Sequence, residues 1–174
     1  MKRFLVIGAT ALLCACGGQN VHESASLGDL VKPGTAPWLT VATGADKLEV
    51  RGLDHKLTLQ PSPDLSAAVQ SQLGSLLQPS YVPDLVVTCG APTISLRVDQ
   101  DKSPSTVAMD LGLHCAIWAH GYDANHDYKT QVSTAVASST EDQAYAQALS
   151  KLVADSSSDI ASQLRGDIGT IASR

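Results

Sequence analysis

TVAMDLGLHCAIWAHGY, residues Thr106 to Tyr122, decides the fold. With a period of two, Val107, Met109, Leu111, Leu113, Cys115 and Ile117 fall on one face. Asp110, Gly112, His114, Trp118 and His120 fall on the other. Successive side chains of a strand point to opposite faces, so this alternation predicts a long strand with one face on a core and the other towards water.

Working back from it, Leu85, Val87 and Cys89 share one phase, while Ile94, Leu96 and Val98 share the phase shifted by one residue. Folding the segment over residues 100–104 sets Val98 opposite Val107, Leu96 opposite Met109 and Ile94 opposite Leu111. One extra residue at Gly90-Ala91-Pro92, a bulge of the kind Gly and Pro mark in strands, restores the phase and brings Cys89 opposite Cys115. A Cys89–Cys115 disulfide follows in an oxidising compartment. Working forward, Tyr122 to Asp127 (YDANHD) has turn composition. Tyr128, Thr130, Val132, Thr134 and Val136 then alternate as a third strand, with Val132 expected opposite Ile117.

The flanks complete the domain. Residues 38–43 and 47–60 hold short extended pieces, Leu48 with Val50 and Leu57 with Leu59, bent at Gly52 and Asp54. Ser62-Pro63-Asp64 signals a helix start with Ser62 as N-cap. The stripe Leu65, Val69, Leu73, Leu76 follows and Pro79 ends the run. Thr140-Glu141-Asp142-Gln143 has the form of a capping box. The stripe Tyr145, Leu149, Leu152, Ser156, Ile160, Leu164 predicts a second helix from about Thr140 to Arg165, stopping at Gly166. The expectation is an α+β domain over residues 38–168, ordered β-α-β-β-β-α, with two helices on one face of an antiparallel or mixed sheet of about four strands.

The N-terminus has a different character. Lys2 and Arg3 precede an apolar run from Phe4 to Leu13, too short to span a bilayer and laid out as a secretory signal. Leu13-Cys14-Ala15-Cys16 resembles the bacterial lipobox. That resemblance implies cleavage after a 1–15 signal peptide and diacylglycerol, with palmitate-type acylation, on Cys16. Gly17-Gly18 after the cysteine, without Asp, implies sorting to the outer membrane, facing the periplasm. Residues 16–37, small and polar, are expected to be a lipidated, flexible tether.

Lipobox, tether and a β-α-β-β-β-α layout with a polar final helix resemble the small outer-membrane lipoproteins that include LptE, YajG and the transport-auxiliary lipoproteins. The resemblance implies a cell-envelope assembly or accessory role without a catalytic site. Composition agrees with the exclusions. The 174 residues carry a formal charge of -5, and loss of Lys2 and Arg3 with the leader leaves 10 basic residues against 17 acidic ones. An acidic domain without a basic run excludes nucleic acid as a partner.

His114, His120, Asp123, His126 and Asp127 could supply metal ligands, but His114 and His120 lie ~20 Å apart along one strand. His120 and His126 flank the expected turn and could meet. No serine stands in a nucleophile turn, and no metal or cofactor is expected. Trp118 on the water-facing side, with His114 and His120, marks either a partner surface or a place covered by the tether or a loop. The expected function is therefore a non-catalytic, membrane-anchored accessory lipoprotein binding an envelope protein. Lipid or glycolipid binding in a cleft between sheet and helices is a second reading, and a metal-binding or hydrolytic enzyme a third.

Overall fold

A computed structural model describes residues 20–32, 36–77, 82, 84–101, 104–136 and 142–173. Its strands are β1 (Asn20–Ser26), β2 (Leu39–Val41), β3 (Leu48–Arg51), β4 (Lys56–Ser62), β5 (Val86–Cys89), β6 (Thr93–Asp99), β7 (Thr106–Ala119) and β8 (Tyr122–Ala135). Its helices are α1 (Leu65–Leu77) and α2 (Asp142–Ala172), with a 3-10 turn at Gly28–Leu30. The class is α+β, but the sheet is mixed and eight-stranded, twice the expected size.

The central hairpin forms in the expected register. Ile94 pairs with Leu111, Leu96 with Met109 and Val98 with Val107. After the break at residues 90–92, Cys89 pairs with Cys115, and the two sulfurs are bonded at 2.08 Å. β5 and β6 thus lie in tandem along one edge of β7. The Gly90 N–H donates to the His114 carbonyl at the junction, 2.8 Å. β2 runs parallel beside β5 and β3 parallel beside β6. β4 is antiparallel to β3, and β1 is parallel to β4 at the far side. β8 covers the other edge of β7 along its full length.

Four expectations need correction. The sheet exceeds four strands partly because residues 20–30, assigned to the tether, join the domain: Ala25, Leu27 and Leu30 are buried, and β1 pairs with β4 from Asn20↔Lys56 onward. The YDANHD segment is strand, because the reversal occurs one step earlier. His120 and Gly121 have φ of 53° and 78°, the left-handed pair a two-residue hairpin turn requires. Val132 therefore faces Met109, and Ala124 faces Ile117.

The helices differ at their ends. Ser62 is the last residue of β4. Asp64 caps α1, its Oδ1 accepting from the Ala67 N–H at 2.9 Å. Leu65, Val69 and Leu73 are buried as expected, but Leu77 and not Leu76 closes the stripe. Pro79, Thr140 and Glu141 lie outside the described residues. α2 continues through Gly166 and Gly169 because Ile168 and Ile171 extend its stripe into the core.

The core lies between the sheet and the helices. The odd residues of β7 from Val107 to Ala119 are buried there with Leu57, Leu59, Leu96 and Tyr128. α2 packs on β1, β7 and β8 and against α1, and α1 rests on β2. The opposite sheet face carries Thr93, Ser95, Asp110, Gly112, His114 and Trp118, part-exposed or exposed.

Candidate functional site

The outer sheet face at the β7–β8 turn carries the exposed apolar residues of the candidate site. Trp118 lies between Val86 of β5 and Asp123 of β8, and is 45% exposed beside Val86 at 48%. Tyr122, the first residue of β8, is 47% exposed at the same end but on the opposite sheet face, that of its pair Ala119. Trp118 and Val86 come from different strands and meet because β5 pairs with the end of β7. Large apolar side chains gathered at one exposed spot are a usual mark of a contact surface.

His114 shares this face. Its Nδ1 lies 2.8 Å from Asp127 Oδ1 across the β7–β8 ladder. His120 is placed otherwise than expected: it belongs to the turn and not to the strand face. Its backbone N–H donates to Asp84 Oδ2 at 2.7 Å, and its ring Nδ1 stands 3.5 Å from Asp84 Oδ1. His114 and Trp118 are thus brought together on one face, and His120 forms the corner beyond them. The disulfide lies behind them on the buried face, one residue from His114.

Two other imidazoles, those of His126 and His55, are engaged elsewhere. His126 and His120 do not share a partner: His126 Nδ1 is 3.7 Å from Asp167 on α2. The hydroxyl of Tyr128 donates to the same carboxylate at 2.7 Å. Burial, reinforced by that carboxylate, holds the Tyr128 phenol protonated well above its ordinary range. His55, in the β3–β4 turn, sits between Asp54 and Asp142 at 2.8 Å each. Hydrogen bonds to Asp54 and then Asp142 raise its pKa above the usual imidazole value. His55 thereby ties the β3–β4 turn to the first residue of α2, a contact no local sequence signal announces. Among the described residues, no group of three or more His, Cys, Asp or Glu side chains is placed to hold a metal ion.

A groove of about 560 Å³ opens on the outer face over Gly112, walled by Thr93, Ser95, Asp110, Lys129 and Gln131. Its position is the solvent side of the sheet, not the space between sheet and helices where a lipid cleft was expected. Cys16 lies outside the described residues, and no helix among them is long and apolar enough to cross a membrane.

No family model matches the chain, and no curated protein matches it in sequence. One solved structure, described as that of an uncharacterized protein, is similar over 84% of this chain and 91% of its own, with a TM-score of 0.42 and 10% identity. That likeness carries no functional argument.

Proposed function

We propose that this chain is a non-catalytic accessory lipoprotein of the bacterial envelope, anchored through Cys16 in the outer membrane and facing the periplasm. It binds a protein partner through the Trp118 end of the sheet. The observation that carries this reading is the exposed pair of Trp118 and Val86 on two strands joined by the disulfide. Tryptophan is among the residues that dominate binding energy at protein contacts. The flanking Asp84, Asp123 and Asp127 suit a partner with a basic rim.

Geometry supports the anchor as compatible with that contact. Val21 is level with Met109 through Leu57, Val50 and Leu96. Trp118 lies nine residues further along β7, roughly 30 Å away. Cys16 precedes Asn20 by four residues, a reach of at most ~14 Å. The lipid therefore does not compete for the Trp118 end.

A photo-reactive amino acid at position 118 in the full chain tests the reading in intact envelopes. One protein should be captured from position 118 and not from Glu49 on β3. Equal capture from both positions, or loss of capture on Glu49 replacement alone, would count against the Trp118 surface. Cys16→Ser should leave the chain unacylated and washable from membranes; retained acyl label in that variant would remove the anchor from the proposal.

A further inference from the structure

The second uncommitted surface is the free edge of β8. Ala119 and Tyr122 flank a two-residue turn, so they form a hydrogen-bonded pair, and the even residues of β8 bond to β7. The odd residues, Asp123, Asn125, Asp127, Lys129, Gln131 and Ser133, direct their N–H and C=O groups to the free edge. Among the described residues β8 pairs with no strand but β7. Among the described residues, Gln163 reaches that edge: its Nε2 donates to the Lys129 carbonyl at 3.4 Å, a weak bond. A long edge of this kind is a template for another strand.

We infer that β8 pairs antiparallel with β8 of a second copy, about a twofold axis through Tyr128. In that register Asp127 opposes Lys129 of the other copy, and Lys129 opposes its Asp127. Asn125 opposes Gln131, Asp123 opposes Ser133, and every free N–H and C=O from residue 123 to 133 finds a partner. Charge fixes this register against its neighbours. One pairing step in either direction sets Asp127 against its own copy or Lys129 against its own, and like charges directly opposite are destabilising. The full overlap and the charge match thus select the same register. On the other face, His126 opposes Thr130, whose hydroxyl donates to Asp159 at 2.9 Å, so an imidazole arrives beside a second carboxylate. The Gln163 bond is exchanged for a backbone N–H of the other copy. The axis runs perpendicular to the sheet, so both Asn20 ends reach one bilayer when the sheet lies along it.

Sedimentation of the full chain in density-matched detergent tests this. The chain should sediment as a dimer at about 100 µM, a concentration that detects even weak self-association. Lys129→Asp and Asp127→Lys each replace two attractive pairs by two repulsive ones. Each should weaken the dimer by about tenfold or more. The double swap Asp127→Lys/Lys129→Asp should recover the original dissociation constant to within about threefold. Both side chains are on the exposed outer face, and unchanged thermal melts show that the variants fold. Gln131→Pro removes an edge N–H without touching the β7 ladder and should also give monomer. A monomer throughout, a dimer indifferent to the single reversals, or a swap that fails to restore it would each overturn the assignment. So would an unrelated extended segment recovered on this edge.

Discussion

Removing the Cys89–Cys115 bond tests the hairpin on which the candidate surface stands. The bond joins residues 26 apart in sequence. Closing a loop of that size removes unfolded-chain entropy equivalent to about 3.5 kcal/mol at 25 °C in the chain-entropy model. Both cysteines are buried, at 1% and 0% exposure, so Cys89→Ala/Cys115→Ala adds a small void. The total loss should then be about 3.5–4.5 kcal/mol. Unfolding entropy near 2.1 cal/mol/K per residue over the roughly 140 described residues turns this into a fall in Tm of about 12–15 °C. Urea titration followed by fluorescence of Trp38 and Trp118 measures the free energy. Cys89→Ala alone should show nearly the same loss, since opening the loop is the main effect. A double variant less than about 1 kcal/mol below the parent would refute the reasoning. It would mean that the unfolded chain already holds these segments together or that the bond does not form.

Other perturbations address separate elements. A Cβ on Gly52 would stand 2.3 Å from the Val98 carbonyl oxygen, at φ +88°; Gly52→Ala should cost more than about 2 kcal/mol in a urea melt, from clash and left-handed strain together. Gly166 and Gly169 meet nothing within 4 Å, so changing each to Ala should stabilise by about 0.5–1 kcal/mol, read as a higher midpoint. Ser156 is fully buried and its hydroxyl has no hydrogen-bond partner among the described residues; Ser156→Ala should raise stability by about 1 kcal/mol. His55, with its pKa raised by Asp54 and Asp142, contributes stability that is full below an ordinary imidazole pKa of about 6.5 and is lost as pH rises through the higher folded value. The stability gap between parent and His55→Gln should therefore be widest below about pH 6.5 and narrow as pH rises above it; a gap that grows with pH would be the wrong sign.

The central hairpin was legible because a long strand with one apolar face has a strong period-two signal. A shift of one residue would turn its whole apolar set to water. The Gly90-Ala91-Pro92 break was legible for the same reason, since the phase changes across it. β1 was not. NVHESAS buries Ala25 and half-buries Val21 and Glu23, too little apolar surface to distinguish an edge strand from a tether. The end of α2 was hidden by Gly166, whose cost of about 1 kcal/mol is outweighed by burying Ile168 and Ile171 at ~1.5–3 kcal/mol each. At the candidate site, strand phase placed Trp118 outward. Val86 has no apolar signal of its own in the exposed phase of β5, and its place beside Trp118 follows only from the Cys89–Cys115 register.

β8 is the instructive failure. Its first half is rich in Asp, Asn and His, and a turn was assigned there because turns share that composition. The turn was taken instead by His120-Gly121, and the polar residues became strand by pairing with a β7 already ordered by its core face. Apolar periodicity can find a strand only where one face needs a core. β8 draws its order from the ladder and from α2, which supplies Asp159 to Thr130 and Asp167 to Tyr128. Its outward-facing residues are thereby released from packing constraints. The alternation of Asp127 and Lys129 can then set pairing along the free edge without disturbing the fold. The polarity that concealed this strand is what gives its edge a register.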